Sequence, residues 1–263
     1  MGKFEKDREK VFAILQKDTI THDDRMDLLK VYQVPYHDTG KIETMYSLDS
    51  SCNHCEFCQK IRKAGKDNPL VICNYCYDNE QEKRWVNVAN RHGLQMLIMS
   101  EVEFTTDELK SLRIEFVARF NSSGDVRNVT MARNYIRIMY AHPLVFFGLF
   151  AKNTLPVVIA TDELGKPSNC KYIQSSPIIG GKLPRLAPYF DVQFVVFPDE
   201  QSTEKAIADG AMECNGKKCK DCGYKCYLPE ENGGWASGTT IAEVLRLKNK
   251  ENMAKVLKAY YEQ

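Results

Sequence analysis

The sequence predicts an α/β fold built on a parallel sheet, and three observations carry that reading. Apolar, β-rich runs recur along the chain: Arg113–Phe120 (RIEFVARF), Leu144–Phe150 and Val192–Phe197 (VQFVVF). Segments of helical periodicity separate them, and such strands are apolar on both faces, as strands covered by helices on both sides must be. At least four strand–helix units follow one another. That series predicts a partial or full β/α-barrel-like sheet, with an open doubly wound sheet as the alternative.

The 263 residues are 43% hydrophobic and 27% charged, enough to bury one substantial core. Three regions are expected: a helical segment over 1–40, the α/β domain over 41–240, and a C-terminal helix over 241–263. Thirty-six basic against 35 acidic residues give a net charge of +1, too even for a dedicated polyanion binder. The longest apolar run, Leu144 to Ala151, is far short of a membrane span, and the charged start MGKFEKDREK lacks an apolar signal core. A cytoplasmic protein with no membrane partner is expected.

Taken in order, Phe4, Val11, Phe12 and Leu15 stand at helical spacing, and Thr21 with His-Asp-Asp reads as the cap and acidic first turn of a second helix that Pro35 stops. Lys41 to Leu48 is strand-like. Helices are expected over Asn79–His92, Thr106–Leu112 and Val129–Ala141, then over Leu155–Leu164 and Thr203–Ala208. Lys171–Gln174 adds a strand. Thr240–Tyr261 reads as one amphipathic helix capped by Thr239 or Thr240.

Nine of the ten cysteines fall in two groups, and Cys170 stands alone. The first group is Cys52, Cys55, Cys58, Cys73 and Cys76; the second is Cys214, Cys219, Cys222 and Cys226. Paired C-x2-C spacings in a reducing compartment read as metal ligands. Cys55-x2-Cys58 and Cys73-x2-Cys76 have the spacing of two facing knuckles around one tetrahedral ion. Cys52 is a fifth thiol, either a ligand or a neighbour, and C-x2-C-x2-C also opens ferredoxin-type runs. The second group offers four thiolates on one short segment, with Gly223 placed for the positive φ of a knuckle turn. Two metal sites follow, each zinc or a [4Fe-4S] cluster. Lys217, Lys218, Lys220 and Lys225 surround the second group, where they compensate thiolate charge or contact nucleic acid.

A third constellation lies where strands end. Arg119, Ser123, Gly124 and Asp125 follow one strand, Lys152 the next and Ser175 the one after. Carboxyl ends of parallel strands carry ligands and chemistry, so Arg119, Ser123, Asp125, Lys152 and Ser175 are the candidate catalytic residues. The competing reading makes Asp125 the cap of the following helix. In both readings Asp125→Asn is expected to leave stability within about 1 kcal/mol.

Several of these segments together resemble a known family. RFNSSGD, then Tyr135, FFGLFAK ending at Lys152, Asn169 and YIQSS are similar to the phage-associated family named for mycobacteriophage gene product 88. That family has a cysteine-rich start ending in Cys-Tyr (here Cys76-Tyr77), an R-x-H-x-S-G-D motif and a strand ending in Thr-Lys. Phe197–Glu200 (FPDE) resembles it too. Here Asn121 replaces the family's histidine and Ala151 its threonine, and an amide at position 121 cannot serve as a titrating base. The resemblance implies a phage or mobile-element context and no particular reaction.

Two function classes are therefore expected. One is a metalloenzyme with a cleft at the strand carboxyl ends. A cysteine group after the first strand and a Gly-acidic loop after a later one are similar to the layout of radical S-adenosylmethionine enzymes, although the usual C-x3-C-x2-C is absent. The other is a non-catalytic protein, stapled by metal, that binds nucleic acid or a host protein.

Overall fold

A computed structural model describes residues 2–32, 34–37, 40–214 and 218–263. Helices α1 (Lys3–Leu15) and α2 (His22–Val31) open the chain. Thr21 caps α2 in a reciprocal arrangement: its hydroxyl accepts from the Asp24 N–H while the Asp24 carboxylate accepts from the Thr21 N–H. Strands β1 (Tyr36–His37) and β2 (Met45–Leu48) follow, then α3 (Glu56–Ala64), α4 (Tyr77–Arg84), α5 (Val86–Glu101) and α6 (Thr106–Leu109). Strands then alternate with helices: β3 (Val117–Phe120), α7 (Val129–Ala141), β4 (Phe146–Ala151), α8 (Leu155–Leu164) and β5 (Cys170–Ser175). Last come β6 (Val192–Phe197), α9 (Glu200–Ala208), β7 (Met212–Cys214), β8 (Thr240–Val244) and α10 (Lys250–Tyr261).

All eight strands form one sheet in the order β1-β2-β3-β4-β5-β6-β8-β7. Only β1 pairs antiparallel; the other pairings are parallel. From β2 to β6 and on to β8 the order advances in one direction, with no reversal of the kind that defines a doubly wound sheet. The sheet ends at β1 and β7 and does not close. The α/β class is as expected, and the architecture is a partial barrel; neither the full barrel nor the doubly wound sheet forms.

The alternation of side chains along each strand divides the core in two. On the outer face Leu48, Phe120, Phe147, Leu149 and Tyr172 pack with residues of α5, α7 and α8 such as Ile98, Ile136 and Val157. On the inner face Met45, Val117, Phe150, Ile173, Val192 and Ile241 pack against Cys219, Tyr227 and Trp235. The segment carrying the second cysteine group therefore fills the hollow of the partial barrel. Gly148 of β4 explains the glycine inside an aromatic strand: a Cβ there would stand 2.5 Å from the Tyr227 ring.

Three sequence expectations need correction. Thr240–Val244 is a parallel strand, not the start of a helix, and α10 begins at Lys250 with Asn249 as its cap. The TIAEV run is β-branched and sits between β6 and β7, where ladder pairing outweighs helical spacing. The helix expected over Asn79–His92 breaks at Trp85, which ends α4 and precedes α5. The strand expected from Arg113 begins only at Val117.

Candidate functional site

The first cysteine group lies at the carboxyl end of β2, beside the loops that leave β3 and β4. Cys55 precedes α3, and its sulfur accepts a hydrogen bond from the Cys58 N–H at 3.3 Å. Cys73 Sγ lies 3.5 Å from Cys58 Sγ, and Cys52 Sγ lies 3.8 Å from Cys76 Sγ. At Zn–S bonds of about 2.3 Å, two thiolates on one tetrahedral ion stand about 3.8 Å apart. Hydrogen bonds from Cys55 and Cys73 hold the Cys58 thiol well below its ordinary value, and one from Cys52 brings Cys76 down to about 6. Their partners Cys52, Cys55 and Cys73 are pushed up. Among the described residues, Cys52, Cys76 and Asp78 form a set whose ligand atoms all lie within 4.8 Å of one another.

A buried polar scaffold holds the Cys52 loop. Glu82 is 2% exposed and accepts from the Cys52 N–H (3.0 Å), the Asn53 N–H (2.8 Å) and Ser51 Oγ (3.1 Å), with His92 Nδ1 at 3.1 Å. Burial works against its charge, but those donors prevail and hold its carboxyl below the usual range. Asp49 accepts from Ser47 Oγ at 2.5 Å, from the Ser123 N–H at 3.0 Å and from Ser122 Oγ. The Cys52 and SSGD loops thereby become one unit. Sequence reasoning missed Asp49, Glu82 and His92. The polar Asp49-Ser50-Ser51 run directly after an apolar strand was a usable signal; a helical glutamate and histidine gave none.

The SSGD loop is shaped by contact with the same unit. Gly124 has φ +78°, and a Cβ there would stand 2.1 Å from Ser50 Oγ and 2.5 Å from the Ser50 carbonyl oxygen. Only glycine fits. Its N–H donates to Cys52 Sγ at 3.1 Å, and Ser123 Oγ is 3.6 Å from the same sulfur. Asn121, with φ +56°, donates through Nδ2 to the Phe150 carbonyl at 3.1 Å, and its Oδ1 accepts from Tyr135 Oη at 3.3 Å. The amide that stands in the family's histidine position thus braces β3 against β4.

Asp125 does not cap the helix that follows; Asn128 does, accepting from the Met131 N–H at 2.9 Å. Asp125 instead ties three backbone amides. Oδ1 accepts from Val126 N–H at 2.8 Å, and Oδ2 accepts from Lys152 N–H at 3.0 Å and Asn153 N–H at 3.3 Å. Burial pushes its carboxyl up to about 6 despite those donors and Lys152. Burial likewise opposes the Lys152 charge, but Asp125 with Cys58, Cys73 and Cys76 holds the ammonium above the usual lysine range. Lys152 is therefore the cation that the thiols face.

Arg119 is on the inner face of β3. Its guanidinium lies 4.0 Å over the Phe150 ring, and its Nε is buried without a hydrogen-bond partner among the described residues. Gln174 pairs with Ala151, so Ser175 follows at the level of Lys152 and is 8% exposed. By strand alternation Arg119, Lys152 and Ser175 share the inner face, with Arg119 paired to Gly148, four residues before Lys152. A small recess of about 100 Å³, lined by Cys55, Lys60, Arg127 and Asn153 among others, opens beside the thiols.

Other residues of the recognised motifs are structural. Asn169 Nδ2 donates to the carbonyls of Met139, His142 and Val145, which fastens the turn after α7. Asp199 caps α9 by accepting from the Ser202 N–H at 2.8 Å.

The second cysteine group is anchored by a hydrogen bond from the Cys219 N–H to the Lys41 carbonyl at 2.8 Å. Cys222 Sγ donates to the Cys219 carbonyl at 3.1 Å, Gly223 has the expected positive φ of 67°, and burial pushes Cys226 up to about 12. Among the described residues its four thiols do not close to the 4.8 Å spacing of Cys52, Cys76 and Asp78. Lys220 pairs with Glu43 at 2.6 Å, Lys218 pairs with the same carboxylate, and Lys225 Nζ sits 4.7 Å over the Trp235 ring. Lys217 lies outside the described residues. The three lysines that are described have partners within the fold. No helix among the described residues is long and apolar enough to cross a membrane.

No curated protein and no solved structure matches the chain. The model of the family described as Gene product 88 matches residues 16–226, most of the chain and all of the rim just described. The chain belongs to the Gene product 88 family.

Proposed function

We propose that the first cysteine group holds metal and that the protein is a metal-dependent enzyme acting on an anionic substrate at the carboxyl rim of the sheet. The observation that carries this reading is that three thiols from two stretches of chain, Cys58, Cys73 and Cys76, act on the half-buried ammonium of Lys152. Clustered thiols beside a half-buried cation mark a functional site more often than a structural one. A bound metal would supply Lewis-acid chemistry at these thiols. Lys152 stabilises thiolate and substrate charge, and Arg119, with an unpaired Nε, holds the anionic end of the substrate. Asp125 acts through others by fixing the backbone at Lys152 and Asn153.

The S···S separations support mononuclear sites, with zinc the first candidate, over an iron–sulfur cubane, in which each ligating thiolate binds a different iron. They also weigh against the radical S-adenosylmethionine chemistry. In such a layout the Gly-acidic loop holds the methionine amine, whereas here both Asp125 oxygens are taken by backbone amides. The second group, Cys214, Cys219, Cys222 and Cys226, is proposed as a structural staple that fixes the inner-face segment. The non-catalytic reading retains one supporting observation: Tyr227 and Trp235 occupy the hollow where a barrel enzyme would admit substrate.

The test compares Arg119→Lys and Lys152→Met with wild type for metal content and for binding of small anions such as phosphate and acetate. The reading predicts weaker anion binding in both variants, with the metal retained in Arg119→Lys. Equal anion binding in all three proteins supports the stapled, non-catalytic alternative.

A further inference from the structure

The five thiols of the first group do not surround one point. Cys58 adjoins Cys55 and Cys73, while Cys52 adjoins Cys76 and Asp78. We infer that Cys52, Cys76 and Asp78 form a metal site that binds a zinc-like divalent ion through three protein ligands, apart from Cys55, Cys58 and Cys73, whose sulfurs do not close to the same 4.8 Å spacing. This deepens the metal reading above and rests on it.

Four observations carry the inference. The Cys52 and Cys76 sulfurs are 3.8 Å apart, the edge of a tetrahedron with Zn–S bonds of about 2.3 Å. The Asp78 carboxylate closes the third corner within 4.8 Å of both. The Cys52 sulfur receives the Gly124 N–H at 3.1 Å and has Ser123 Oγ at 3.6 Å, the outer-shell donors a metal-bound thiolate uses. The loop bearing Cys52 is itself held by Glu82 through the Cys52 and Asn53 amides, so this sulfur is positioned before any ion arrives. Two thiolates and a carboxylate satisfy a borderline-soft ion. Three protein ligands leave the fourth corner to water, as in catalytic zinc sites, whereas structural sites close all four. The site also explains the S-G-D loop: its glycine admits the Ser50 backbone and turns an amide toward the Cys52 sulfur.

The experiment is a cobalt(II) titration of the full chain after chelation. Bound metal per chain is measured together with the thiolate-to-cobalt charge-transfer band and the visible d–d band. The inference predicts that Asp78→Ala and Cys76→Ser each lose the same one equivalent. Cys55→Ser, outside the triad, is predicted to keep it. Asp78→Cys keeps a donor at the third corner, so it should retain the full complement and show a stronger charge-transfer band. Retention in Asp78→Cys also separates loss of a ligand from loss of the fold. A full complement and unchanged bands in Asp78→Ala overturn the inference. So does loss of one shared equivalent in both Cys76→Ser and Cys55→Ser, an outcome that leaves the broader metal reading standing as a single site. Absence of cobalt binding in wild type overturns both.

Discussion

At the scale of single residues, Asp125 is a rim side chain whose hydrogen bonds are all committed to backbone. An asparagine there must turn an NH2 group toward at least one N–H donor, either Val126 or the Lys152–Asn153 pair. Leaving buried donors unmatched costs about 1–3 kcal/mol. Asp125→Asn should therefore lower the urea midpoint measurably, contrary to the near-neutral change that a helix-capping aspartate would give. Gly124→Ala combines a positive φ with a Cβ 2.1 Å from Ser50 Oγ, and chemical denaturation should show a loss of roughly 2 kcal/mol or more. Lys152 carries a different prediction. Removing its charge with Lys152→Met raises the neighbouring thiol pKa values, so protons compete better with metal. Metal affinity should fall more at pH 6 than at pH 8, and an equal fall at both values would show that the lysine does not act on the thiols.

At the scale of elements, two contacts are open to direct test. The N-terminal helices are fastened through Glu108, which is 4% exposed and accepts from Arg25 Nε at 2.8 Å, with His22 Nδ1 at 2.7 Å. Burial alone would raise the Glu108 carboxyl, but the Thr105 N–H, Arg25 and His22 outweigh it and bring it to about 2. A depressed carboxyl contributes stability above its unfolded value near 4.5, and that stability is lost as pH falls from there toward 2. Roughly 2 kcal/mol should disappear over that window in wild type and be absent at every pH in Glu108→Gln. On the opposite face, Tyr227 packs on Gly148 and Phe150, and Tyr227→Ala should cost about 3–5 kcal/mol by emptying the inner hollow. Several elements were legible because their patterns were unmixed. The helix over Val129–Ala141 and the strand over Val192–Phe197 were predicted to the residue. Thr240–Val244 was not, because its apolar positions also fit a helical period and its strand character comes from flanking strands distant in sequence.

At the scale of the molecule, the chain is a partial barrel whose own second cysteine segment occupies its hollow and whose first cysteine group sits on its carboxyl rim. Much of this was legible. Parallel α/β order, the clustering of the first thiols and the nearness of Asp125 to Lys152 follow from local pattern and spacing. What spacing could not give was pairing. C-x2-C suggested Cys73 with Cys76 as one knuckle, yet the thiols meet as Cys58 with Cys73 and Cys52 with Cys76, because Glu82 and Asp49 set where the Cys52 loop lies. Nor could it show that Tyr227 would cover Gly148, a contact between residues far apart in the chain. Metal bound by so many loops is coupled to their folding, so chelation should lower the melting temperature, and more so in wild type than in Cys58→Ser with Cys76→Ser. The central claim is that the rim thiols hold metal. Its most direct test is elemental analysis, with acid-labile sulfide, of the full chain purified without oxygen, set beside the Cys58→Ser/Cys76→Ser variant. The account predicts zinc without sulfide in wild type and loss of at least one equivalent in the variant; equal metal content in the two proteins would contradict it.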